Sequence, residues 1–233
     1  TIANFTVPAP VTICLQEQQT ADFTTGTTGT DTFISSKNGG EIILKPTIAE
    51  DFSGAILPNG WQSFNWTTGG TSTVSGGSVT VNGMRLNTVS PTTTFSPGST
   101  MEFVATFGAS SFQHIGFAGG TDAIGTGGIY NGESPWAMFS TGNSSSILRA
   151  RTFTGSGSSL DFDIPGSYLG APHLYRIVWN ANSVDYYIDG IVVHTQAITI
   201  SSTMRPAISD FNTSSPGISV DYMYLSPYSA AGT

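Results

Sequence analysis

The chain has 233 residues, which is long enough for one large domain around a single core. Only 9% of the residues are charged, and Gly, Thr and Ser fill the polar positions; this disfavours a helical bundle, because helices usually carry Lys, Glu and Arg on their solvent face. The net charge of −8 and the seven scattered Lys and Arg residues argue against nucleic acid and anionic membranes as partners, because phosphate binding needs a clustered basic footprint. No apolar run reaches the roughly 20 residues that span a bilayer.

Residues 1–48 are predicted to form an N-terminal arm or a small accessory layer. Val11, Ile13 and Leu15 alternate on one side of a strand-like segment. Such a segment can pair along its backbone while it buries apolar side chains, so we expect it to add a strand to its own sandwich or to another copy of the chain. The single cysteine, Cys14, excludes an internal disulfide and a Cys-rich metal site.

Residues 49–228 are predicted to form one domain of short antiparallel strands, followed by a tail at 229–233. Each strand shows alternation or an apolar run of strand length, and Gly, Pro, Asn and Ser separate them. Regularly spaced strands with such punctuation indicate an all-β, two-sheet sandwich. The predicted strands are Ser78–Asn82, Thr100–Phe107, Gln113–Ala118, Trp136–Ser140, Ile147–Phe153, His173–Trp179, Val184–Ile188, Ile191–Thr195, Met204–Asn212 and Ile218–Leu225.

Two of these segments also predict a position in the sheet and a turn type. Leu174–Trp179 is apolar on both faces, which predicts an inner strand that is covered on each side. Asp189-Gly190 separates two strand patterns and predicts a tight type I′ hairpin turn, because both residues tolerate the positive φ angles that this turn requires.

The segment from His173 to Gly190 resembles the strand-turn-strand element of the concanavalin A-like superfamily, notably glycoside hydrolase family 16 and laminin-G-like modules. In these proteins a strand that ends in Trp, here Trp179, precedes a hairpin that reads Tyr-x-Asp-Gly. Val220–Leu225 looks like the final strand of that superfamily, and the wider run from Asp51 to Tyr228 is similar to lectin-like modules of large bacterial surface proteins. The resemblance implies a jelly-roll sandwich and secretion.

The resemblance also implies where catalytic residues would lie. Family 16 enzymes carry a strand that reads E-x-D-x-x-E, whose alternation points two carboxylates into one cleft. The corresponding strand here is Trp136–Ser140, which has no carboxylate. We therefore expect a protein that is not an enzyme.

Candidate sites remain in the loops and on the sheet surfaces. Aromatic residues in Gly- and Asn-rich segments are candidates for stacking on sugar rings. Acidic residues in turns could supply hard oxygen ligands to calcium, the one cofactor that the sequence suggests. The three histidines form no metal-binding pattern. The candidate carbohydrate-binding residues are Trp61, Trp66, Tyr130, Trp136 and Tyr168, and the candidate calcium ligands are Asp122, Asp210 and Asp221.

The sequence alone thus favours a secreted or cell-surface protein with a structural or adhesive role, which assembles with copies of itself or with cell-surface proteins. One alternative is a lectin-like module that binds polysaccharide. A further alternative is a glycoside hydrolase or polysaccharide lyase. The abundance of Thr and Gly, the scarcity of Lys and the acidic pI favour the extracellular location in every case.

Overall fold

The structure is a computed structural model that describes residues 28–35, 42–89, 94–119, 134–213 and 216–227. The chain divides into two compact units, residues 1–44 and residues 45–233. In the described ranges we find no helix long and apolar enough to cross a membrane. Several predictions concern residues outside the described ranges, namely those for Val11, Ile13, Leu15, Asp122, Tyr130 and the tail at 229–233.

The first unit contains one described strand pair. Strand β1 (Thr32–Ile34) pairs antiparallel with strand β2 (Ile42–Leu44), with Phe33 opposite Ile43.

The second unit consists of two antiparallel sheets. The described residues form fifteen strands here, which are β3 (Ile48–Glu50), β4 (Trp61–Asn65), β5 (Thr71–Ser75), β6 (Ser78–Asn82), β7 (Met84–Thr88), β8 (Ser99–Thr106), β9 (Gln113–Ala118), β10 (Trp136–Ser140), β11 (Arg149–Phe153), β12 (Leu160–Asp163), β13 (His173–Trp179), β14 (Ser183–Ile188), β15 (Ile191–Ala197), β16 (Arg205–Asp210) and β17 (Ile218–Pro227). The seven-stranded sheet has the order β12-β11-β10-β9-β16-β7-β4, and the eight-stranded sheet has the order β15-β14-β13-β8-β17-β6-β5 with β3 beside β17. The prediction of an all-β sandwich of two antiparallel sheets is confirmed.

The core lies between the two sheets, and side chains enter it alternately along a strand. On β8, Met101, Phe103 and Ala105 are fully buried in the main core. Rings of the two sheets meet there: the centroid of Phe103 lies 6.3 Å from that of Phe139 on β10. The side chains that do not enter the core lie on the opposite face of each sheet.

The predicted hairpin is confirmed at β14 and β15. Asp189 and Gly190 have φ angles of 51° and 80°, as a type I′ turn requires. The Asp189 carboxylate accepts a hydrogen bond from the backbone N–H of Leu174 (3.0 Å) and contacts Nδ1 of His173 (2.8 Å). Strand β13 lies between β8 and β14, so the prediction of an inner strand is also confirmed.

Candidate functional site

The side of the seven-stranded sheet that points away from the core carries an unusual set of side chains. Ala137 and Phe139 of β10 enter the main core, so Trp136, Met138 and Ser140 point to the opposite side. We call this side the outer face.

Strand register assembles the outer face from residues far apart in sequence. Residues that pair across neighbouring antiparallel strands share one face of a sheet. One row runs through Asp163, Arg149, Ser140, His114, Ser209, Arg85 and Phe64. The next row runs through Asp161, Arg151, Met138, Gly116, Ala207, Asn87 and Gln62. A shorter third row contains Phe153, Trp136, Ala118 and Arg205.

Basic residues are concentrated on the outer face. Four of the chain's seven Lys and Arg residues lie in these rows, at Arg85, Arg149, Arg151 and Arg205. They are scattered in the sequence, but the sheet brings them together. Their proximity is a product of strand register and not of sequence spacing.

Two of the arginines form ion pairs at the β11–β12 end of the face. Nε of Arg149 lies 2.5 Å from Oδ1 of Asp163, and Nε of Arg151 lies 2.8 Å from Oδ1 of Asp161. The aspartate side chains are 61% and 35% exposed, whereas the arginine side chains are 14% and 8% exposed. At this end of the face the two carboxylates are therefore the groups that contact solvent, and the two guanidinium groups lie beneath them.

The other two arginines are buried further along the face. The guanidinium carbon of Arg85 lies 5.6 Å from the ring centroid of Phe64 and 5.5 Å from that of Trp66, within the range of a cation–π interaction. Nη1 of Arg205 donates a hydrogen bond to the carbonyl oxygen of Thr88 (2.9 Å).

His114 lies between these groups and is uncharged at neutral pH. Its side chain is buried, and burial lowers the pKa of the imidazole to about 3, with the nearby positive charge of Arg151 as a second cause.

Two amide atoms on the outer face have spare hydrogen-bonding capacity. Oδ1 of Asn87 and Nε2 of Gln62 are buried, and neither has a hydrogen-bond partner in the structure. The two residues pair directly across β7 and β4. One acceptor and one donor on neighbouring strands are thus left without a partner.

The outer face carries two carboxylates within the described residues, and both are on the edge strand β12. Asp161 and Asp163 are two positions apart and so point to the same side. Strand β10, where the resemblance to family 16 places catalytic carboxylates, presents Trp136, Met138 and Ser140 instead.

The predicted carbohydrate-binding aromatics divide between the two sides of the sheet. Trp66 and Trp136 belong to the outer face: Nε1 of Trp66 donates to Oγ of Ser209 (2.9 Å), and the ring of Trp136 lies 4.4 Å from that of Phe153. Trp61 packs in the main core, and the half-buried Tyr168 packs against that core.

The predicted calcium ligands are not brought together in the part of the chain that the structure describes. Asp210 is buried at the end of β16, whereas Asp221 lies on β17 of the other sheet. No group of three or more His, Cys, Asp or Glu side chains among the described residues could hold a metal ion.

A sequence signal for the outer face does exist. Arg149 and Arg151 alternate on one strand, as do Asp161 and Asp163 on the next, so each pair must share a face. The partners at Arg85, His114 and Arg205 have no local signal, because only the register of β7, β9 and β16 places them nearby.

The architecture is a concanavalin A-like jelly roll of the kind found in family 16 glycoside hydrolases, which confirms the resemblance. Among solved structures the chain is similar to a laminarinase from a Flavobacterium species, with a TM-score of 0.55 and 16% identity over 78% of this chain and 100% of that chain. It is similar to β-agarase B from Zobellia galactanivorans, with a TM-score of 0.54 and 13% identity over 77% of this chain and 91% of that chain. It is also similar to an endo-β-1,3-glucanase from Pyrococcus furiosus, with a TM-score of 0.55 and 14% identity over 84% of this chain and 97% of that chain.

No family model matches the sequence, and neither does any curated protein. At 13 to 16% identity the likeness establishes the fold. It also corrects the expectation of a non-catalytic structural or adhesive protein, because the solved structures named above are glycan-cleaving enzymes.

Proposed function

We propose that this chain is an extracellular glycan-cleaving enzyme of the glycoside hydrolase class, with the outer face as its substrate site. The observation that carries the proposal is the outer face itself, where aromatic rings, amides and a pair of carboxylates lie on one side of one sheet. The likeness of the fold to a laminarinase, an agarase and a glucanase supports it. The acidic, Lys-poor composition supports the extracellular location.

Binding on this face follows from the chemistry of sugars. Sugar rings present apolar C–H faces to aromatic side chains. On the outer face Trp66 is half-buried and Trp136 is 3% exposed, so Trp66 is the tryptophan that a sugar ring can reach. The hydroxyl groups of a sugar both donate and accept hydrogen bonds. Oδ1 of Asn87 and Nε2 of Gln62 offer one acceptor and one donor for them.

Hydrolysis needs two carboxyl groups, and we assign these roles to Asp161 and Asp163. The α-carbons of residues two apart on a strand are about 6.6 Å apart, and the two carboxyl groups are held by different arginines. Inverting enzymes use carboxyl groups roughly 6.5–9.5 Å apart and retaining enzymes roughly 5–5.5 Å, so we assign the inverting reaction to this separated pair. The ion pairs with Arg151 and Arg149 hold both side chains in place.

The proposed reaction is a single displacement. In this scheme Asp161, the less exposed carboxyl group, takes up a proton from solvent when its ion pair with Arg151 opens, and it donates that proton to the glycosidic oxygen as the bond from that oxygen to the anomeric carbon breaks. Asp163, the more exposed group, accepts a proton from a water molecule whose oxygen bonds to the anomeric carbon from the opposite side. The product sugar has the inverted configuration.

The test is release of reducing ends from a panel of laminarin, agarose, xyloglucan, carrageenan and polygalacturonate. We expect D161N and D163N each to lower the rate by about 100-fold or more. D185N is the matched control, because Asp185 accepts hydrogen bonds from Asn180 and Thr195 on the other sheet. Proton NMR of the first products reports the configuration.

Cleavage of none of these polysaccharides, or full activity in both D161N and D163N, contradicts the proposal. Retention of configuration would contradict the assignment of the two aspartates, because a retaining enzyme needs a closer pair.

A further inference from the structure

We propose that four partly exposed aromatic residues at one end of the seven-stranded sheet hold the glycan chain at a distance from the two aspartates, and that they select an uncharged polysaccharide. We call these residues the aromatic ledge; they are Phe64, Trp66, Phe112 and Phe211. The inference rests on the proposed function for the kind of ligand, and it adds the place where that ligand is held.

The rings of the aromatic ledge form one continuous row. The ring centroid of Trp66 lies 5.4 Å from that of Phe64 and 6.4 Å from that of Phe211. The centroid of Phe211 lies 6.0 Å from that of Phe112. Phe211 is 49% exposed and the other three side chains are half-buried, so solvent reaches the ledge although most of the outer face is buried. The ledge is therefore a surface that a sugar ring can contact directly.

The backbone of Phe112 is a second, independent sign of a binding site. Phe112 has a φ angle of 63°, a region that residues with large side chains rarely occupy. Its N–H donates a hydrogen bond to the carbonyl oxygen of Gly142 (2.6 Å), and its carbonyl oxygen accepts one from the N–H of Phe211 (3.2 Å). Strained conformations persist where neighbouring structure enforces them, and they are concentrated at binding sites.

Contacts from below hold the other rings in place. The guanidinium carbon of Arg85 lies 5.6 Å from the ring centroid of Phe64 and 5.5 Å from that of Trp66. Nε1 of Trp66 donates to Oγ of Ser209 (2.9 Å), and Oγ1 of Thr67 donates to the carbonyl oxygen of Phe211 (2.8 Å). Rings that are already fixed lose little conformational entropy when a ligand binds.

The surroundings of the ledge determine the charge of its ligand. The segments 61–70, 108–113, 140–146 and 209–213 contain one charged residue, Asp210, which is fully buried. Arg85 beneath the rings is 2% exposed. The exposed polar side chains in these segments include those of Asn65, Asn143 and Thr213, which can exchange hydrogen bonds with sugar hydroxyl groups. An anionic sugar finds no accessible opposite charge here, whereas an uncharged sugar loses nothing by its absence.

The ledge lies away from the proposed catalytic pair. Asp161 and Asp163 are on β12, whereas the strands that carry or adjoin the ledge, β9, β16 and β4, lie three to six strand positions away in the same sheet. At about 4.8 Å per position this is roughly 14–29 Å. A polysaccharide can span that distance, so a chain held on the ledge stays near the aspartates between cleavage events.

The experiment measures the affinity of the intact chain for laminarin, agarose, xyloglucan and polygalacturonate. We expect at least one of the three neutral polysaccharides to bind more tightly than polygalacturonate, and its affinity to change by less than about twofold between roughly 0.05 M and 1 M sodium chloride. We expect F211A to weaken that binding by about fivefold or more, and F211Y to retain it, because tyrosine keeps the ring. I191A is the matched control, since Ile191 is 70% exposed and lies on β15 of the other sheet.

Tryptophan fluorescence reports where the polysaccharide binds. The chain has four tryptophans, and Trp61, Trp136 and Trp179 are 9%, 3% and 0% exposed, whereas Trp66 is half-buried on the ledge. We expect the bound polysaccharide to change the emission of the unchanged chain, and the change to be absent in W66F. Thermal unfolding of F211A shows whether its fold is retained.

The outcomes separate this inference from the proposed function. Cleavage of a polysaccharide whose affinity and emission change are the same in F211A as in the unchanged chain overturns the inference and leaves the proposed function standing. Binding that F211A weakens, without cleavage of any polysaccharide, contradicts the proposed function and supports the ledge. Binding of polygalacturonate alone, binding of no polysaccharide, or a dimer in size-exclusion chromatography that F211A dissociates also overturns the inference; the dimer would make the ledge a contact between copies of the chain.

Discussion

Asp210 shows how burial changes the chemistry of one side chain. It ends β16 beneath the surface, where its carboxylate accepts hydrogen bonds from Nε2 of Gln113 (2.9 Å) and from the backbone N–H of Asn212 (3.0 Å). Burial dominates these contacts and raises the pKa of Asp210 from 3.8 to about 6. The group that the sequence suggests as a calcium ligand is therefore a buried carboxyl group at a strand end.

The first prediction follows from that pKa. Because the pKa is higher in the folded chain than in the unfolded one, the folded chain binds the proton more tightly, and the associated stability is lost as the pH rises through about 6. We therefore expect the unfolding free energy of D210N, relative to the unchanged chain, to increase between about pH 4 and pH 6.

Urea unfolding at several pH values measures this difference. D221N, which removes a half-buried carboxylate from the other sheet, controls for the loss of one charge. A difference between D210N and the unchanged chain that does not vary with pH would refute the prediction.

The β14–β15 hairpin shows how a local signal specifies an element. Ile188 pairs with Ile191 across a turn whose two residues, Asp189 and Gly190, both have positive φ. An L-residue with a β-carbon pays a steric cost there, whereas glycine does not. The turn chemistry is local, which is why the sequence predicts this hairpin correctly.

The second prediction concerns that turn. At Gly190, with φ of +80°, no atom lies within 4 Å of an added β-carbon, so G190A tests backbone conformation without a clash. We expect it to lower the unfolding free energy by about 1 kcal/mol. G54A is the control, because Gly54 has no positive φ and its added β-carbon would meet ordinary contacts; we expect a change within about 0.5 kcal/mol. Equal effects of the two substitutions in thermal unfolding would contradict this account.

Other elements lack so clear a signal. Strands β5 (TSTVS) and β12 (LDFD) are not among the predicted strands, because they contain few apolar residues and their edge positions leave them partly exposed.

The outer face is harder still to predict from the sequence. Arg85 on β7 and Arg205 on β16 are 120 residues apart, and they share a face because β7 pairs with β16. Local alternation predicts which residues of one strand lie on the same side of it. Pairing between distant strands decides which of these residues become neighbours on one face of the sheet.

At the scale of the whole molecule, strand β17 connects the two halves of the eight-stranded sheet. Strand β17 pairs with β8 on one side and with β6 and β3 on the other, and Val220, Met223 and Leu225 enter the main core. The eight-stranded sheet therefore depends on this one strand. Both sheets are built entirely from residues within the second compact unit, 45–233.

The last prediction is that a fragment of residues 45–233 folds by itself, because both sheets and the main core are formed by residues of that unit. A fragment of residues 45–216 is the matched control, which lacks β17 and so removes the central strand that β3, β6 and β8 share. We expect the longer fragment to be monodisperse and to unfold in one cooperative transition, and the shorter one to be unfolded or aggregated. Circular dichroism during heating and size-exclusion chromatography distinguish these outcomes. An unfolded longer fragment would show that residues 1–44 are required for the sandwich, whereas a cooperatively folded shorter fragment would show that β17 does not hold the eight-stranded sheet together.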